Sequence, residues 1–104
     1  MIKLYHLDST AMMKGLSFTR ADAATVKQNW IDDHYTHVAD VDVNDLDQMY
    51  ELTNHIDHDW TTNKEVKLVE PNSQHRSTSV GDLAKIDDKF FVCASIGWDE
   101  VSFK

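Results

Sequence analysis

The stretch HRSTSVGDLAKIDDKFFVCASIGWDEV, residues 75–101, decides the fold class. Val80-Gly81-Asp82 reads as a turn, Leu83 to Ile86 as a strand, and Asp87-Asp88-Lys89 as a hairpin loop. Phe90 to Ser95 is apolar on both faces, which predicts a central strand. Gly97 allows a bend or bulge before Trp98 anchors the last segment. A hairpin in so short a span predicts a mainly antiparallel sheet.

Working back from the hairpin, Glu65 to Glu70 alternates through Val66 and Leu68 as a strand, and Pro71 stops it because proline cannot donate to a ladder. Residues 71–79 read as a loop or extended edge, and His55 to Lys64 as a polar loop carrying Trp60. His37 to Val43 has period two, with Ala39, Val41 and Val43 on one side and Asp40 and Asp42 on the wet side. Asn44 suits an N-cap, with Asp45 and Asp47 in the first turn of a helix that carries Leu46, Met49, Tyr50 and Thr53 and ends near Asn54. Upstream, Ala23, Val26 and Trp30, flanked by Ala24 and Ile31, form a helical stripe to about residue 33, preceded by a capping box of Thr19 and Asp22. Residues 8–18 read as a loop, and Ile2 to Leu7 as an opening strand. The expectation is α+β: one domain over residues 1–104, with a mainly antiparallel sheet of five to six strands and two helices packed on it.

Composition agrees with a folded chain. Hydrophobic residues make up 41% and aromatics 10%, enough for one modest core in 104 residues. No apolar run approaches the roughly 20 residues that span a bilayer, and a single cysteine, Cys93, fits a reducing compartment. The expected location is a cytoplasm, with no membrane partner.

Charge is unevenly spread. The formal net charge is −8, and between Lys27 and Lys64 lie 36 residues with no Lys or Arg and nine acids. The rest of the chain holds nine acids and ten bases, so the whole excess belongs to the middle segment. Such a surface repels nucleic-acid phosphates and favours basic protein surfaces, or else serves solubility alone.

Asp40-x-Asp42-x-Asn44 with Glu51 in the twelfth position matches four ligand positions of a calcium loop. Asp45 stands where that loop needs glycine, and the approach is strand-like rather than helical. His34, His37, His55 and His58, with Asp57 and Asp59, offer imidazoles at i, i+3 spacing that suit a transition metal. There are neither cysteine pairs nor an H-E-x-x-H run to support them. Cys93 sits in an apolar run, where a thiol is inert. Ser77, Thr78 and Ser79 beside His75 and Arg76 offer anion-binding groups, but the three glycines, Gly15, Gly81 and Gly97, lie too far apart for a phosphate loop.

Residues 75–101 also carry a resemblance, at His75, Ser77, Ser79, Val80, Gly81, Asp82, Phe91, Gly97 and Trp98. The pattern His-x-Ser-x-Ser-Val-[Ser/Gly]-Asp, then a hairpin, then Gly-Phe or Gly-Trp, resembles the YodL-like family and small phage proteins. With the short helix NDLDQMYELTN, residues 44–54, the likeness covers roughly residues 40–101. It implies phage or mobile-element origin and assigns no activity, cofactor or site residue.

Together these readings predict a small acidic phage or mobile-element protein, not an enzyme and without cofactor, that binds and modulates a host protein in the host cytoplasm. The docking residues would be Asp40, Asp42, Asp45, Asp47 and Glu51, forming one continuous negative face that imitates DNA toward a basic cleft. The first alternative is a metal-dependent enzyme or metal-binding module using the His/Asp group of residues 34–59. The second is an accessory domain without catalysis, in which the hydroxyls of residues 77–79 only hold the turn before the hairpin.

Overall fold

The structure, a computed structural model, describes residues 1–8, 23–54, 60–69, 76–94 and 97–101. The chain forms a six-stranded antiparallel sheet with two helices, an α+β arrangement. The strands are β1 (Ile2–Leu7), β2 (Tyr35–Val41), β3 (Val66–Leu68), β4 (Leu83–Ile86), β5 (Lys89–Cys93) and β6 (Trp98–Val101), in the spatial order β3-β2-β1-β4-β5-β6. The helices are α1 (Ala23–Ile31) and α2 (Leu46–Thr53), with a 3-10 turn at Trp60–Thr62.

Strand alternation sorts the core onto both sheet faces. Ile2 and Leu4 of β1, Ala84 of β4 and the bulged pair of β2 pack with Met49 of α2 and with Trp60. Leu7, Leu83, Val92 and Val101 pack on the other face with Val26 of α1 and with Tyr35. The sheet is thus sandwiched, one helix per face, and for that reason β5 is apolar on both sides. The register between β1 and β2 shifts between Leu4 and Tyr5, leaving Val38 as an extra residue on β2. That bulge lets the consecutive residues Val38 and Ala39 both enter the first core.

Several expected boundaries move. The second strand is Tyr35–Val41 rather than His37 to Val43. It starts earlier because α1 stops at Ile31: Asp33 takes a left-handed φ of 61°, and His34 N–H bonds Asn29 O at 2.9 Å, the 6→1 bond of a Schellman end. Ile31, expected in the apolar stripe, is 63% exposed. The cap of α2 is Asp45, not Asn44: its carboxylate accepts from Asp47 N–H at 2.8 Å. His34 and His37 share no helical face, since His37 lies within β2 and His34 just before it. The capping box at Thr19 and Asp22, the loop of residues 8–18 beyond Asp8, Pro71 and His75 lie outside the described residues. No helix among the described residues is long and apolar enough to cross a membrane.

Candidate functional site

The segment before the hairpin is built around one buried carboxylate. Asp82, wholly buried where the chain enters β4, accepts from Leu7 N–H at 2.9 Å and Ser79 N–H at 2.8 Å. Arg76 closes on it with a forked pair, Nη2 to Oδ1 at 2.6 Å and Nη1 to Oδ2 at 2.7 Å, and also donates to Leu7 O at 2.8 Å. Such two-pronged charge-assisted bonds are the strong ones. Backbone links extend the knot. Thr78 N–H bonds Thr53 O at the end of α2, Trp60 Nε1 bonds Arg76 O, Tyr35 Oη bonds Gly81 O, and Cys93 N–H bonds Asp82 O. Asn54 Nδ2 donates to Thr78 O. One segment therefore ties α2, the 3-10 turn, β1, β2 and β5 together, and every buried side-chain polar atom among the described residues has a partner.

Within this knot His6, Thr78 and Asp82 meet, a set of residue types that nucleophilic catalysis uses. The geometry opposes a relay. His6 Nε2 lies 3.1 Å from Thr78 Oγ1 and 3.8 Å from Asp82 Oδ2, so one ring nitrogen faces both groups. A relay needs the base to bond its orienting carboxylate through the opposite nitrogen. His6, Thr78 and Asp82 are also all buried, out of reach of a substrate. The anion that Arg76 was expected to offer a site for is Asp82 itself. The turn is held by that carboxylate more than by hydroxyls: Ser79 Oγ lies 3.4 Å from Arg76 Nη1, and Thr78 Oγ1 turns to His6. Cys93 is buried, and burial, aided by the charge of Asp82, pushes its thiol up to about 12.

The five acids expected to dock separate into two groups. Asp42, Asp45, Asp47 and Glu51 are all exposed, on the loop after β2 and on α2. Asp40 stands apart, which corrects the expectation of one continuous, fully exposed face. It pairs in register with Lys3 on one side and Lys67 on the other, and its Oδ1 lies 2.9 Å from His37 Nε2. Its side chain shares the sheet face of Lys3 and Tyr5, opposite α2, and is 27% exposed. The face was misjudged because period two tells which residues point together, not which helix lies on that side.

Beside α2 runs a groove of about 470 Å³ lined by Asn44, Asp45, Leu46, Asp47, Ile86, Gly97 and Trp98. Its floor is apolar: Leu46, Ile86 and Trp98 are partly buried and pack on the first core, and Trp98 meets Tyr50 edge-on at 6.4 Å. Its rim is acidic. The sequence reading found the rim and missed the floor, because Ile86 and Trp98 come from strands distant in the chain.

No family model matches the chain, and no curated protein or solved structure is similar to it. The likeness in residues 75–101 therefore rests on its matched positions alone.

For the metal reading, His34 Nδ1 lies 2.8 Å from Asp8 Oδ2 and His37 bonds Asp40, two separate pairs. Among the described residues no three His, Cys, Asp or Glu are grouped to hold an ion. His55, Asp57, His58 and Asp59 lie outside the described residues. Of the calcium-loop positions, Asp40 is in a strand and Glu51 in the helix that follows, with Asp45 as its cap.

Proposed function

We propose that the protein is a binding module that docks on a basic surface of another protein and modulates it, through the acidic loop and helix that carry Asp42, Asp45, Asp47 and Glu51. The observation that carries this reading is the groove at the start of α2, where two exposed aspartates rim an apolar floor of Leu46, Ile86 and Trp98. Apolar area supplies affinity, and the rim supplies steering and selects against acidic competitors. The charge excess of the middle segment supports the same reading, as nine acids there face no Lys or Arg in sequence. The phage or mobile-element origin that the resemblance of residues 75–101 implies would make the partner a host protein, and the acidic face would stand in for DNA toward a nucleic-acid-handling or defence factor. Asp40 plays no part in the docking, being engaged with His37.

The test begins with affinity capture from host lysate and identification of the partner. Association rates then compare wild type with a variant carrying Asp42→Asn, Asp45→Asn, Asp47→Asn and Glu51→Gln at two salt concentrations. Asn caps a helix about as well as Asp, so the variant keeps α2. Wild-type association is expected to slow as salt screens charges beyond about 8–10 Å, and the variant to associate about tenfold or more slowly at low salt. Ser77→Ala with Ser79→Ala should leave the rate unchanged. A four-site variant that binds as fast as wild type at low salt overturns the proposal and leaves the acids a solubility feature.

A further inference from the structure

The outer edge of the sheet at β6 lies next to the groove and carries acids of its own. β6 is the last strand in the order, paired with β5 alone among the described residues. Ala94 N–H bonds Gly97 O at 2.9 Å, which makes Ala94 and Gly97 a hydrogen-bonded pair at the end of the β5–β6 ladder. In an antiparallel ladder bonded and non-bonded pairs alternate. Cys93–Trp98 and Phe91–Glu100 are then non-bonded pairs, and Val92–Asp99 is bonded. The backbone N–H and C=O of Trp98 and Glu100 consequently point away from β5, toward the open edge. Asp99 and Glu100 are both exposed, one on each face of that edge, and the Trp98 side chain forms part of the groove floor.

An open edge is a template for one more strand. Acids on it discourage pairing with a second copy of an acidic chain, and here they also choose the charge of what can pair. We infer that β6 accepts an extended basic polypeptide segment as a seventh strand, with a lysine or arginine stem lying against Trp98 and its head toward the acidic rim of the groove. The side chain fits that place because its aliphatic stem suits an apolar floor, its cation suits the indole face, and its charge suits the rim. Gly97 leaves the approach open, as a Cβ there would meet nothing within 4 Å. Charge complementarity selects the occupant: Asp99 and Glu100 stand on the edge strand, Asp45 and Asp47 on the groove that Trp98 also lines, and among the described residues of the groove and of β6 there is no cation. The inference rests on the acidic docking surface proposed above and names the form its partner takes.

The probe is a synthetic peptide alternating Lys and Val, followed by fluorescence anisotropy and by hydrogen exchange of the protein's amides. Wild type should bind it, and exchange should slow at Trp98 and Glu100. The same peptide N-methylated at every second residue, which cannot donate to the edge, should bind about tenfold or more weakly. Glu100→Pro removes an outward N–H that the β5–β6 ladder does not use, a place where an edge strand tolerates proline, and should weaken binding similarly while the melting curve stays cooperative. Equal binding of the methylated peptide, together with loss of binding in the four-site acidic variant, overturns strand addition and leaves the acidic surface standing. No binding of the alternating peptide also overturns it, whereas failure of the acidic reading would show in the association rates with the captured partner.

Discussion

Asp82 is the only buried acid among the described residues, and its burial is tolerable because four donors surround it: two from Arg76 and the N–H groups of Leu7 and Ser79. Removing one partner of such a pair leaves the other uncompensated, which costs about 3–5 kcal/mol. Arg76→Ala, which leaves the wholly buried Asp82 without its cation, is expected to lose up to that much in urea unfolding. Asp82→Ala should lose less of the charge penalty, because Arg76 is 35% exposed and can turn to water. Arg76→Ala should cost less in the Asp82→Ala background than alone, because the charge it compensates is gone. Simple additivity of the two would show that the pair does not hold the corner. Asp82 also acts on its neighbours: the Cys93 thiol and the Tyr35 hydroxyl are raised first by burial and then by its charge. In the unfolded chain a thiol ionises near about 8.5, whereas in the folded protein Cys93 keeps its proton to about 12. Between those values the native state binds more protons, so the stabilisation is complete below about pH 8.5 and is lost as pH rises toward the folded value. Denaturant midpoints should fall between pH 7 and pH 10, and fall less in Cys93→Ala. Parallel pH curves for the two proteins would remove Cys93 from the account.

At the scale of elements, local chemistry and tertiary packing each decide part of the outcome. The hairpin of β4 and β5 was legible because Asp87-Asp88-Lys89 separates two apolar runs, though the turn itself is only Asp87-Asp88, since Lys89 already pairs with Ile86. Asp87 takes the φ of 53° that the tight turn requires. The start of α2 was legible to within one residue. Asn44 and Asp45 are both good caps by type, and only the backbone decides, with Asp45 extended at φ −131° and ψ 129°. Asp45→Ala should therefore cost about 1 kcal/mol, while Asn44→Ala should change the melting temperature little. The reverse order would return the cap to Asn44. Which helix covers which face could not be read, since alternation gives two faces without saying what lies on each. The knot at Asp82 was equally hidden: it joins Arg76 to Asp82 across a turn and to Leu7 from the far end of the chain. Gly97 gives a cleaner case. Its φ is +72° with open space where a Cβ would stand, so Gly97→Val is penalised by the backbone alone, about 1–2 kcal/mol. Gly97→Asn should recover most of that, as Asn tolerates the left-handed region. Equal melting of the Val and Asn variants would mean the turn relaxes freely.

Over the whole molecule the separation of charge is the property that reaches furthest. The net charge is −8, and four exposed acids, Asp42, Asp45, Asp47 and Glu51, fall between residues 42 and 51. Asp47 and Glu51 stand at i, i+4 on one helix, where like charges destabilise by about 0.2–0.5 kcal/mol. Asp45 is the exception, since its carboxylate also caps α2 and would be replaced in that role by Asn. Acids that repel one another in this way are the side chains that the proposed docking would use. The stability of the four-site variant, Asp42→Asn, Asp45→Asn, Asp47→Asn and Glu51→Gln, follows from the same balance. At low ionic strength it should melt close to wild type, because the repulsion it sheds offsets the loss of the Asp47 charge from the first turn of α2 and no buried partner is lost. Added salt should then raise the wild-type midpoint more than the variant's, since screening relieves only repulsion that is still present. Thermal melts of both proteins at low and moderate salt measure this directly. A variant that melts well below wild type at low salt would show that these side chains hold the fold together, and its slower association with a partner could no longer be assigned to the loss of steering.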